Sequence, residues 1–116
     1  MREHPAGGPL PGPTARTLGV RPDDDLPVVA AMVRPGTGGM SVAPEPPTNL
    51  PEHRRPRSLQ GSGKDPVWGI PLDQLGNDLT YRQDRATHGL IEPAREMTIG
   101  AYQQALAGTA PRWLPL

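Results

Sequence analysis

The sequence predicts a small, proline-rich α+β domain of short strands with a C-terminal helix, preceded by a disordered Pro/Gly-rich N-terminus. Three observations lead there. Short β-branched or alternating runs at 28–33, 67–72, 79–83 and 88–93 are separated by Pro, Gly and Asp turns. One apolar stripe of helical period follows Thr98. Of the 17 prolines, 12 fall in residues 1–60, so the foldable sequence is concentrated in the second half.

Composition sets further bounds. A chain of 116 residues is one domain by default, and with no Phe, two Trp and two Tyr its core is thin. A formal net charge of zero gives no global field favouring nucleic acid or an anionic membrane, so neither is predicted as a partner. The absence of Cys excludes a disulfide framework and a thiolate metal site, and no metal site is predicted. No Sec-type apolar segment opens the chain, and the longest apolar run, Val28–Val33, is too short to cross a bilayer. A cytoplasmic place of action is expected.

Residues 1–26 are expected to form a low-complexity tail. Prolines 5, 9, 11 and 13 alternate with glycines and can sustain neither helix nor ladder. The folded domain is expected over 27–116. Val28–Val33, apolar throughout and bounded by prolines, suits a strand buried on both faces. Pro35-Gly36 then forces a turn.

Arg34 to Ala43 (RPGTGGMSVA) joins a cation, a glycine-rich turn and two hydroxyls. Gly38 and Gly39 allow close approach of backbone to a ligand, and successive amides can form an anion-binding nest. Arg34, Thr37, Gly38 and Gly39 are therefore candidate ligand-binding residues. The spacing is neither a Walker loop nor a dinucleotide fingerprint, and a plain hairpin turn is the alternative.

A second proline-rich passage, 44–56, carries Arg54, Arg55 and His53, with Arg57 beyond, as a local basic patch or a solvated loop. Trp68, Ile70 and Leu72 share one face of a short strand, where Trp68 is either core or a stacking platform. Asp73–Leu75 reads as one helical turn. Leu79–Gln83 alternates, with Leu79, Tyr81 and Gln83 on one face. After a turn at 84–87, His88–Pro93 returns. His88 and Glu92 are four apart and project from one face, with Leu90 between them. They can divide acid–base or ribose-binding work, or simply be polar ends of a strand.

The final element is the best-signalled helix. Thr98 caps it, Met97 and Tyr102 stand at hydrophobic-staple spacing, and Gly108 then Pro111 mark its end. Arg112-Trp113-Leu114 is expected to fold back as an apolar tail.

Pro35 to Val42 resembles a Thr-Gly-Gly-x-Ser-Val signature of small cytotoxic effectors of the type VI secretion system that have an ADP-ribosyltransferase-like fold. A second block agrees in order: Asp78-Leu79, Gln83-Asp84, Ala86-Thr87-His88, Ile91, Pro93-Ala94 and Met97. The blocks span residues 28–107. The resemblance implies a compact α+β, ADP-ribosyltransferase-toxin-like domain using NAD, with a small split antiparallel sheet, a cleft similar to a nicotinamide-dinucleotide site, Thr37 and Ser41 as its hydroxyls and His88 in the second block. Loosening the nicotinamide–ribose bond calls for a carboxylate near the developing oxocarbenium charge, and Glu92 is the one placed for it. Ser41, His88 and Glu92 are thus the candidate catalytic residues, and Arg16, Arg21 and Arg34 the candidates to grip the dinucleotide. Delivery by a dedicated secretion system and an immunity or target protein as partner are further implications. The alternatives are a catalytically inactive binding module of the same fold and an unrelated Pro-rich interaction protein.

Overall fold

The computed structural model describes residues 1–14 and 16–116; Ala15, part of the expected tail, lies outside the described residues. The strands are β1 (Met32–Val33), β2 (Met40–Val42), β3 (Trp68–Gly69), β4 (Leu79–Arg85), β5 (His88–Pro93), β6 (Met97–Thr98) and β7 (Leu114–Pro115), and the helix α1 is Ile99–Gly108. All pairing between them is antiparallel. The sheet is split, as expected: β2-β5-β4 forms a three-stranded piece, and β1-β6 and β3-β7 form two ribbons.

The register of the central piece sets its two faces. Met40 and Tyr81 flank Ile91, and Leu79 stands opposite Pro93. That face carries buried Met40, Leu79 and Ile91 and packs into the core with Tyr102 and Leu106 of α1. Each such apolar side chain contributes about 1.5–3 kcal/mol on burial. The opposite face carries Ser41 and Arg82 on either side of Leu90, and Thr80 opposite Glu92.

Helix α1 starts as its sequence dictates. The Thr98 hydroxyl accepts from the Ala101 amide at 3.0 Å, and Met97 and Tyr102 are both buried. Its end differs from expectation: Gly108 remains helical and Thr109 is the C-cap, with its hydroxyl donating to Leu106 O and accepting from Trp113 Nε1. Those side-chain bonds turn the chain without a left-handed glycine. Trp113 is buried and β7 folds back onto β3, as the sequence predicts.

Two expectations are corrected by packing. Only Met32–Val33 of the apolar run is strand. Val29 and Met32 bond reciprocally around Ala30 and Ala31, both at positive φ (52° and 62°), so the run doubles back as a two-residue hairpin and leaves Val29 exposed. The N-terminal segment does not lie free either. Leu18, Val20 and Leu26 are fully buried in the core, and Gln103 of α1 pairs through its amide with both backbone groups of Val20. Pro/Gly-rich sequence cannot form a ladder, but it can be laid against a helix whose side chains take up its backbone groups.

Candidate functional site

The site grows from one buried carboxylate. Glu92 lies on β5 facing away from the core, yet it is only 2% exposed. A carboxylate so buried must be paired. Arg82, two residues off Glu92's cross-strand partner Thr80, donates Nε to Oε1 at 3.0 Å and Nη2 to Oε2 at 3.2 Å. The third bond comes from the turn after β1, where the Gly36 amide donates to Oε2 at 3.1 Å. The hydrogen bonds to Glu92 push the Arg82 guanidinium above its ordinary range.

This arrangement corrects the expected anion nest. A backbone amide of the 34–39 turn does grip an anion, but the anion is the chain's own Glu92. The Gly39 amide is committed as well, donating to Asp25 O at 3.1 Å. Gly38, at φ 140°, lies against that same carbonyl, where a Cβ would come within 2.4 Å of Asp25 O. A Cβ on Gly39 would meet Ile91 O at 2.4 Å and the Tyr102 hydroxyl at 3.1 Å. Both glycines serve close packing of the turn against its neighbours. Thr37 closes the turn by donating its hydroxyl to Arg34 O at 2.8 Å, and Arg34 pairs with Glu96 at 3.1 Å on the surface.

Beneath the turn, Tyr102 fixes the strand ends. Its hydroxyl donates to Ile91 O and accepts from Met40 N. Burial pushes this phenol well above its usual range, so it stays a donor. One tyrosine of α1 thereby holds β2 and β5 in the register that puts Ser41 diagonal to Glu92.

The candidate catalytic residues share a face but not a point. Ser41 is exposed opposite Leu90, about 7–8 Å from Glu92 backbone to backbone by the usual diagonal spacing. His88 lies on the same face, about 13 Å along the strand from Glu92. There its Nδ1 meets Asp84 Oδ1 at 2.6 Å, which holds the Asp84 carboxyl below the usual range. The dinucleotide candidates Arg16 and Arg21 are elsewhere, paired with Asp65 and Asp25. Arg82 is the cation at the site, and sequence reading missed it. Two surface clefts, of about 310 and 410 Å³, take no lining from Glu92, Arg82, Ser41 or His88. Glu92 lies on the non-core face of the sheet, enclosed by Arg82 and the turn at Gly36.

Among the described residues, no helix is long and apolar enough to cross a membrane. A family model described as Tse2 ADP-ribosyltransferase toxin matches residues 4–113, a wider span than the two signature blocks. No curated protein and no solved structure gives a match.

Proposed function

Because the chain belongs to the Tse2 ADP-ribosyltransferase toxin family, we propose that it transfers ADP-ribose from NAD to a target macromolecule, with Glu92 at the reacting centre. The observation that carries this reading is a carboxylate buried on the non-core face of the sheet and gripped by an arginine fork and a backbone amide. When the bond from nicotinamide nitrogen to ribose breaks, its electron pair leaves with nicotinamide and positive charge spreads over the ribose. A fixed carboxylate in a poorly solvated place stabilises that charge more than it stabilises the ground state. The target nucleophile then bonds to the ribose carbon and gives its proton to water.

The other residues take roles from position. Glu92 accepts three hydrogen bonds, and a carboxylate offers about four lone-pair sites, which leaves capacity toward a ribose hydroxyl. Arg82 is about half exposed and uses Nε and Nη2 on Glu92, so Nη1 can face a phosphate. Ser41 presents a hydroxyl beside the same point. His88 is too far along β5 to act on the same atom as Glu92, and we assign it to positioning at the far end of the ligand. The Arg34–Gly39 turn supports Glu92 from above. We infer an effector role as well, which the family match supports: delivery by a dedicated secretion system, action in the cytoplasm, and an immunity protein in the producing cell.

Growth of a bacterial host under tightly controlled expression tests this. Arrest by the wild type, relieved in a folded, equally expressed Ser41→Ala/Glu92→Gln variant, supports the toxin reading. Normal growth with abundant folded wild type counts against it.

A further inference from the structure

The apolar run before the glycine turn ends in a protruding hairpin, residues 27–32, which the Glu92 site does not use. Its foot is built into the fold. Val28 packs against the core, Met32 and Val33 pair with Thr98 and Met97, and the Ala31 carbonyl accepts from the Ile99 amide at 2.9 Å. Its tip faces solvent. Pro27, Val29, Ala30 and Ala31 are exposed, Val29 to 68%.

The tip is built against local preference. Ala30 and Ala31 are both left-handed (φ 52° and 62°), a conformation that a Cβ disfavours and glycine adopts freely. A two-residue hairpin turn with both residues at positive φ takes Asn-Gly or Gly-Gly where only the turn matters. Val29 keeps a branched apolar side chain in water. None of these three side chains belongs to the core or packs against it. Strain held in an exposed apolar segment points to contacts made outside the chain.

The shoulder of this hairpin is acidic. Asp25 is paired with Arg21 at 3.3 Å, but Asp23 and Asp24 enter no ion pair among the described residues. Asp23 is tied to the hairpin, its Oδ1 accepting from the Val28 amide at 3.0 Å. The same segment is tied to the glycine turn, where Gly39 N donates to Asp25 O. Two carboxylates thus stand beside an uncharged tip, and they select among occupants. A second copy docked about a two-fold axis would bring each acidic shoulder toward the other. An anionic bilayer would repel both carboxylates. A different protein, with an apolar pocket rimmed by Lys or Arg, complements the tip and the shoulder together.

We propose that residues 23–32 form a docking surface for such a partner protein, and that this partner is the macromolecule to be modified. The second clause rests on the transferase reading. The tip and the Gly36 amide that grips Glu92 lie at opposite ends of β1. The chain from Ala31 to Gly36 spans at most about 18 Å. A protein held at the tip therefore has its own surface within reach of Glu92.

The test places a photo-crosslinking side chain at position 29 of the full chain, in soluble bacterial lysate, with the same side chain at exposed Leu72 as control. The proposal expects a discrete adduct with another protein from position 29 and none from position 72. Its yield should fall at least about tenfold in Asp24→Lys, and should fall with added salt. The variant Ala30→Gly/Ala31→Gly relaxes the turn and removes two exposed methyls. It should melt no lower than the wild type and still reduce the yield about fourfold. No adduct, an adduct only to lipid or between copies of this chain, or a yield unchanged in both variants would overturn the docking surface. The adducted protein, purified, is then incubated with NAD and the wild-type chain. ADP-ribose on it supports its assignment as target, and transfer to other lysate proteins but not to it overturns that assignment. No transfer to any protein, with the adduct still formed, counts against the transferase reading and leaves the docking surface standing.

Discussion

Arg82 holds Glu92 as a fork on a carboxylate, with two parallel bonds of 3.0 and 3.2 Å across adjacent strands of the central sheet. The pair fixes a buried carboxylate on the sheet face that points away from the core, the kind of preorganised group that an oxocarbenium-like transition state requires of its surroundings.

Breaking that pair from one side should be costly. Arg82→Ala leaves Glu92 buried with only the Gly36 amide, so its thermal midpoint should fall by several degrees, on the order expected for an uncompensated buried charge. The double variant Arg82→Gln/Glu92→Gln removes the charge together with its partner and should recover most of the loss. Thermal melts of the three proteins decide this, and equal midpoints for Arg82→Ala and wild type would speak against the pairing.

Tyr102→Phe removes a hydroxyl that serves both Ile91 O and Met40 N. Two buried backbone groups then lose a partner, and stability should drop by about 1–3 kcal/mol in chemical denaturation. A change within a few tenths would mean that the helix does not set the register of β2.

Tyr81 gives the opposite expectation. Its hydroxyl is the one buried side-chain polar atom without a partner among the described residues. The ring lies over Gly89, where any Cβ would strike it. Tyr81→Phe should therefore stabilise the protein, by about 1 kcal/mol. Destabilisation in the same denaturation assay would show that the hydroxyl is satisfied after all.

Acid should loosen the N-terminal segment first where it meets the loop. Arg16 holds Asp65 below the ordinary carboxylate value of about 3.9. Asp65 therefore adds stability at pH values above that ordinary value, and the contribution is lost as pH falls through the lower folded value. The stability gap between wild type and Asp65→Asn should be present at neutral pH and close under stronger acid, a trend read from denaturation curves at several pH values.

Much of this was legible in the chain. β5, the Thr98 cap, the Met97–Tyr102 staple and the returning Trp113 tail follow from local chemistry that no tertiary contact reverses. Arg82 was hidden for a definite reason. The β4-β5 register shifts between Gln83 and Arg85. A regular hairpin counted back from Arg85–His88 would place Arg82 opposite Ile91, on the core face; the bulge places it opposite Leu90, beside Glu92. The Ala30-Ala31 turn was also hidden, because two alanines at positive φ contradict their own preference; the reciprocal Val29–Met32 bonds and the Ile99 amide on Ala31 O hold them there. The Pro/Gly content of residues 1–26 shows what that segment cannot form, and is silent on the buried Leu18, Val20 and Leu26 that anchor it.

The most direct test of the central claim is transfer of labelled ADP-ribose from NAD into bacterial lysate macromolecules, with purified wild type and Glu92→Gln at matched folded concentration. NAD-dependent labelling by the wild type, reduced by about 100-fold or more in Glu92→Gln, is the predicted result. Labelling that persists in Glu92→Gln would remove Glu92 from the reacting centre, and no labelling by folded wild type would contradict the proposed activity itself.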